Sequence, residues 1–204
     1  MRTNKRTFPG AELKPVGLVA PLDLAAVFPR GAPLEVDLGC GDGTFLIARA
    51  RAHPERDFLG VEQMAGRVRS ACRNIGGHGL TNARILRLEI LHALTLLPPA
   101  SVEVCHLLFP DPWPKRRHQE RRIVTRDFLR AVRRVLQKNG TLRIKTDQPE
   151  YFATMEEVVR NSKELSVVEL NPETDAPLTT FEQRFLEEGL PIHRLVLRKL
   201  SDGK

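Results

Sequence analysis

The run Leu34-Glu35-Val36-Asp37-Leu38 ends in Gly39-Cys40-Gly41-Asp42-Gly43 and passes at once into Thr44–Ala52, where Phe45, Leu46, Ala48 and Ala52 recur at helical spacing. A strand that turns on glycines into a helix must then return before the chain can pair a second parallel strand. The pattern does continue. Apolar bursts at 57–61, 83–88, 102–108 and 141–146 read as strands, and 64–75, closed by Gly76-Gly77, reads as a helix. The best helix is predicted at 125–138, where Phe128, Leu129, Val132, Val135 and Leu136 make one apolar face, with Thr125 to cap it and Asn139-Gly140 to stop it. A helix at 151–161 and late strands at 166–170 and 193–200 follow, and 171–180, with two prolines and three threonines, reads as a long loop. Strands alternating with helices predict an α/β fold: a doubly wound, Rossmann-like, mostly parallel sheet with helices on both faces and right-handed crossovers. The 204 residues divide into a short basic N-terminal arm, 1–30, and a single domain, 31–204.

Composition narrows the setting. No apolar run approaches the roughly 18 residues of a membrane span. The first six residues are basic and polar with no apolar core after them, so no secretory signal is expected. Cys40, Cys72 and Cys105 are odd in number and far apart, which argues against a disulfide scaffold and shows no zinc-ligand pairing. A reducing, cytoplasmic setting without a metal is the expectation. The formal net charge of +7 points to a polyanionic partner.

Ligands of doubly wound sheets bind beyond the carboxyl ends of the strands, where strand order reverses. Acidic residues fall there after each predicted strand: Asp37, Glu62, Glu89, Asp111 and Asp147. The loop reads G-x-G-x-G, not the G-x-G-x-x-G of dinucleotide sites. A carboxylate at Asp37 would repel a pyrophosphate but can pair with an ammonium group. S-adenosyl-L-methionine carries an amine and no phosphate, so Gly39 and Gly41 are read as backbone that approaches this cofactor. Glu62, 19 residues past Gly43, stands where an acid accepts from ribose hydroxyls. Glu89 can meet the adenine amino group, although a helix cap is the better reading of that residue alone.

Phe109-Pro110-Asp111-Pro112-Trp113-Pro114 carries three prolines and makes a stiff loop at the reversal point, which turns Asp111 toward the cofactor pocket. Lys115-Arg116-Arg117-His118-Gln119-Glu120-Arg121-Arg122 follows, five of eight residues being permanent cations. Arginine in a first helical turn is unfavourable, which favours phosphate contact over a solvated helix start. Arg126, Arg130, Arg133 and Arg134 extend this basic face. Asp147 suits either a guanine edge or a helix N-cap. Of Thr179-Thr180-Phe181-Glu182, Phe181 can stack on a base and Glu182 can accept, while a loop cap is the plainer reading.

The stretch from Phe109 to His118, with Arg121-Arg122, Thr146-Asp147, Tyr151 and 179–185, resembles the bacterial tRNA (guanine-N7)-methyltransferase family over roughly 33–199. The resemblance implies methylation of guanine in the tRNA variable loop to 7-methylguanosine, by a monomer or homodimer. It implies cofactor contacts at Asp37, Glu62, Glu89 and Asp111, the last as the catalytic position. It also implies tRNA or guanosine contacts at Lys115, Asp147, Thr179, Thr180, Phe181 and Glu182, and RNA contact at Arg117, Arg121 and Arg122. The family more often has Glu at the position of Asp37 and Asp or Asn at that of Glu89, and a longer basic arm. Three other readings remain open: an exocyclic-amine methyltransferase, whose Asp/Asn-Pro-Pro-aromatic loop Asp111-Pro112-Trp113 resembles; a non-catalytic RNA-binding protein; and a nicotinamide dehydrogenase.

Overall fold

The computed structural model describes residues 10–168 and 179–199, apart from the side chains of Thr180 and Phe181. Eight strands form one sheet: β1 (Glu12–Leu13), β2 (Leu34–Leu38), β3 (Asp57–Glu62), β4 (Ala83–Arg87), β5 (Val102–Leu108), β6 (Leu136–Thr146), β7 (Ser166–Val167) and β8 (His193–Arg198). Their order is β1-β4-β3-β2-β5-β6-β8-β7. Every pair from β1 to β6 is parallel, and β8 pairs antiparallel with β6 and β7. From β2 the chain steps outward to β3 and β4, then crosses back to β5 on the other side of β2. The reversal therefore lies between β2 and β5, with the glycine turn on one side and the proline loop on the other.

Alternation along the strands sorts the core into two layers. Val36, Leu38, Leu59, Val61, Cys105 and Leu107 face a cluster with Leu94, Phe128, Leu129, Val132, Met155 and Val159. These come from α4 (Ile90–Leu96), α5 (Arg126–Val135) and α6 (Pro149–Ser162). On the opposite face Phe58, Ala83 and Ile85 meet Leu46, Ile47, Ala50, Val68, Ala71 and Ile75 of α2 (Thr44–Ala52) and α3 (Ala65–Gly77). Burying large aliphatic and aromatic side chains on both faces stabilises each by roughly 1.5–3 kcal/mol.

Several boundaries differ from the sequence expectation. α5 stops at Val135, not at 138, because Leu136 turns to extended backbone and begins β6. Asn139 does take a positive φ of 64°, but within that strand, where the β5 register shifts. The region expected as an arm is, from residue 10, part of the same body. β1 adds an edge strand beside β4, Leu22 and Phe28 are buried, and Leu22 N–H donates to the Leu96 carbonyl at 2.8 Å. A short helix, α1 (Leu24–Val27), lies between them. Residues 1–9, most of the loop expected at 171–180, the end of the strand expected at 166–170 and Leu200 lie outside the described residues. Among the described residues no helix is long and apolar enough to cross a membrane.

Candidate active site

Strand order brings the acids to one lip. β4, β3, β2, β5 and β6 are consecutive and parallel, so Glu89, Glu62, Asp37, Asp111 and Asp147 follow one another along the carboxyl edge of the sheet. The glycine turn sits at the middle. Gly39, Gly41 and Gly43 have φ of 88°, 58° and 81°, a region costly for residues with a Cβ. Gly39 and Cys40 N–H both donate to the Val61 carbonyl, at 2.8 and 3.0 Å, which locks the turn to β3. Space where a Cβ would stand at Gly41 is open to 4 Å, so a ligand can approach the backbone there.

Asp37 and Glu62 are each 5% exposed. Burial, together with the Glu62 carboxylate, pushes the Asp37 carboxyl up to about 7. Glu62 is fixed by the chain itself: it accepts from Gly41 N–H at 3.2 Å and from Met64 N–H at 2.7 Å, with Arg67 at 3.8 Å. Two buried acids side by side create a site that favours a cation. This donor set fits the ammonium of S-adenosyl-L-methionine, and the open glycine turn fits its close approach to backbone. Glu89 is exposed and caps α4, accepting from His92 N–H at 2.9 Å. The cap reading of that side chain is what the structure shows.

A second set of charges under the turn was not singled out from sequence. Glu35, one alternation below Asp37 on the same strand face, takes a bidentate pair from Arg49 (3.1 and 2.7 Å) and contacts His106 Nε2 at 2.9 Å. Arg56 bridges Glu35 and Glu103 at 3.3 and 2.8 Å. Burial alone would raise the Glu35 carboxyl, but the His106 and Arg49 contacts overcome it and hold the group down at about 2. Burial also lowers the basicity of His106. A Glu inside a buried strand and an Arg on the buried side of α2 are the sequence signal for such a pair.

The proline loop leaves β5 beside the turn. Phe109 N–H donates to the Lys145 carbonyl at 2.8 Å. Phe109 and Trp113 take φ of 52° and 43°, so Asp111 is carried between two residues in left-handed backbone. Such strain persists only where surroundings fix it. Asp111 is exposed. Trp113 meets His118 edge-on at 5.9 Å, and the Arg121 guanidinium lies 5.1 Å over its ring. Lys115, Arg116, Arg117 and Arg121 are exposed around a short 3-10 turn, Arg116–Arg121.

Arg122 differs. It is 8% exposed and turned inward, donating to the Pro112 carbonyl at 2.9 Å and to Thr154 Oγ1 at 3.0 Å. The α5 arginines also serve the fold. Arg130 and Arg133 approach Glu164 at 3.6 and 4.0 Å, Arg126 donates to the Asn161 carbonyl, and Arg134 donates to the Leu94 and Leu97 carbonyls at the end of α4.

Asp147 is half-buried and accepts from Gln148 Nε2 at 2.7 Å; the N-cap of α6 is Gln148, not Asp147. Thr179 and Glu182 open α7 (Thr180–Glu187) with a reciprocal capping box, the Thr179 hydroxyl accepting from Glu182 N–H and Glu182 Oε2 from Thr179 N–H, both at 3.0 Å. Glu182 is fully buried and its other oxygen holds Lys145 Nζ at 2.6 Å. The cap reading holds for both residues, and it ties α7 to β6 next to Asp147. The side chains of Thr180 and Phe181 lie outside those described. Among the described residues, no three His, Cys, Asp or Glu are grouped to hold a metal ion.

A family profile described as "Putative methyltransferase" matches residues 31–195. The chain is 37% identical over 189 residues to the tRNA (guanine-N(7)-)-methyltransferase of Cutibacterium acnes, covering 89% of this chain and 68% of that one. It is 35% identical over 196 residues to the Thermotoga maritima protein of the same name, covering 94% of this chain but 62% of the longer relative. The 16S rRNA methyltransferase KamB superposes with a TM-score of 0.66 at 19% identity, over 89% of this chain and 95% of that one, a likeness of fold alone.

Proposed function

The chain belongs to the tRNA (guanine-N(7)-)-methyltransferase family, and on that premise we propose that it methylates N7 of a guanine in the variable loop of tRNA. The observation that carries the reading is the ordered row of carboxylates along one lip of the sheet, with the exposed cations of 115–121 directly after the Asp111 loop. S-adenosyl-L-methionine, when bound, supplies a methyl group made electrophilic by its sulfonium. Asp37 holds the ammonium, Glu62 accepts from the ribose hydroxyls, and Gly39 and Gly41 offer backbone at close range. Glu89 stands at the adenine end, where its capping bond to His92 leaves acceptor capacity on the carboxylate.

Guanine N7 carries an in-plane lone pair and no proton, so no residue has to act as a base on that atom. Positioning then supplies much of the rate, and the transfer is an in-line displacement. The base gains positive charge as it is methylated. Asp111, preorganised between prolines, stabilises that charge or fixes the base through its N–H edge. Asp147, free of a capping role, shares the task from the neighbouring strand. Lys115, Arg117 and Arg121 receive the RNA backbone, with the 179–182 segment closing the guanosine side. The work belongs to the cytoplasm, where tRNA is met, and a monomer or a homodimer can perform it.

Mass spectrometry of nucleosides from tRNA incubated with labelled methyl donor tests the reaction. Labelled 7-methylguanosine is expected; label confined to an exocyclic amine, or absent from tRNA, would sink it. Asp111→Ala is expected to lower kcat by about 100-fold, on the scale of losing one preorganised electrostatic group. Near-wild-type turnover with an intact fold would remove Asp111 from the catalytic role.

A further inference from the structure

We propose that Arg122 is a positioning residue, a latch that sets Asp111 relative to Asp147, rather than a contact to RNA; the proposal rests on the methyltransfer reading above. Arg122 closes the basic run, and by sequence it is indistinguishable from its exposed neighbours. In the fold it alone of Arg116, Arg117, Arg121 and Arg122 is buried.

Two nitrogens of its planar fork donate into the protein. Nε donates to the carbonyl of Pro112, the residue after Asp111, at 2.9 Å. Nη1 donates to Thr154 Oγ1 at 3.0 Å, and that hydroxyl donates onward to the Glu150 carbonyl at 3.0 Å. The guanidinium lies 4.8 Å over the ring of Tyr151, a residue 1% exposed whose hydroxyl accepts from Val124 N–H at 3.3 Å. One side chain thus joins the catalytic loop to the first turns of α6. That helix starts at Pro149, two residues after Asp147.

The loop is built so that one anchor suffices. Pro110, Pro112 and Pro114 remove most of its torsional freedom. Phe109 and Trp113 hold positive φ, a conformation that must be maintained from outside the loop. Fixing the Pro112 carbonyl therefore fixes the direction of Asp111. Because the other end of the latch is α6, the spacing between Asp111 and Asp147 is fixed by the same contact. Arg122 does this without touching substrate or cofactor, so its removal should be felt as a misplaced carboxylate.

The test compares Arg122→Ala and Thr154→Val with Arg121→Ala, reading kcat, KM for tRNA, the salt dependence of tRNA binding, and emission of Trp113, the single tryptophan. For Arg122→Ala, kcat should fall by roughly 100-fold, the scale of a displacement near 1 Å. Its KM for tRNA and salt slope should stay at wild-type values, and Trp113 emission should shift. Thr154→Val removes one arm of the latch and keeps the buried arginine, so a smaller fall in kcat and a shift of the same sign are expected. It decides alone should Arg122→Ala not fold. Arg121→Ala should instead weaken binding and flatten the salt slope. A flattened slope with kcat retained in Arg122→Ala would make it an RNA contact and overturn the latch. So would unchanged kcat and emission in Thr154→Val. If the wild-type chain makes no 7-methylguanosine, the parent reading fails, while Trp113 emission in the two latch variants still tests the contact itself.

Discussion

Glu35 and Asp37 are two residues apart on one strand, share one face and are both buried, yet their surroundings drive them in opposite directions. Glu35 meets the guanidiniums of Arg49 and Arg56 and the ring of His106, and is held down at about 2, a structural acid. Asp37 meets burial and the negative Glu62, and is raised to about 7. A raised carboxyl is protonated below its midpoint, and only the ionised form pairs with an ammonium. Affinity for S-adenosyl-L-methionine should therefore weaken as pH falls below 7, toward tenfold per pH unit, with about one proton released per molecule bound at pH 6. Calorimetry at pH 6 in two buffers of different ionisation enthalpy measures that proton. Equal affinity at pH 6 and pH 8 would show that Asp37 does not hold the ammonium. The same shift has the opposite sense for the ligand-free fold. A group raised from 3.8 to about 7 favours the folded state below its unfolded value, and that contribution is lost as pH rises through 7.

At the scale of elements, the glycine turn depends on a residue outside it. A Cβ on Gly60 of β3 would come within 2.6 Å of Cys40 Sγ and 2.7 Å of Ile85 Cδ1. Gly60 lets the strand lie close under the turn whose N–H groups bond Val61. Gly60→Ala should lower stability by about 1–3 kcal/mol, the usual cost of overpacking. It should also loosen the cofactor more than a core substitution of equal cost elsewhere, such as Val132→Ala. Thermal unfolding with and without S-adenosylhomocysteine separates the two effects; equal stabilisation by the ligand in both variants would place the turn beyond the influence of Gly60. The turn itself was legible in sequence because glycines after an apolar run are local information, as were the ends of β2, α2 and β5. Gly60 was not, since its neighbours Cys40 and Ile85 are distant in the chain. The capping box at Thr179 and Glu182 was half legible: the T-x-x-E spacing is local, but the Lys145 pair that buries Glu182 is 37 residues away. β1 escaped notice because two residues give no periodicity, and only pairing with β4 makes them a strand.

Over the whole molecule, the +7 charge had suggested one continuous cationic face running from Lys115 through α5. Folding divides that face by function. Arg134 satisfies carbonyls at the end of α4, Arg130 and Arg133 sit against Glu164, and Arg122 turns inward, while Arg117 and Arg121 stay exposed beside the Asp111 loop. Charge composition is readable in sequence, but which cations are spent on the fold depends on contacts that only the tertiary structure makes. Each phosphate neutralised releases condensed counterions, so tRNA affinity should fall with salt along a slope set by the cations that reach the RNA. Replacing Arg117 and Arg121 together should reduce that slope by about 1.4–1.8, at roughly 0.7–0.9 per phosphate contact. Arg134→Ala should lower thermal stability and leave the slope alone, because its guanidinium serves α4. Binding isotherms at four or more salt concentrations give the three slopes. An unchanged slope in the Arg117, Arg121 double variant, or a reduced one in Arg134→Ala, would move the RNA to a different face from the one that carries Asp111.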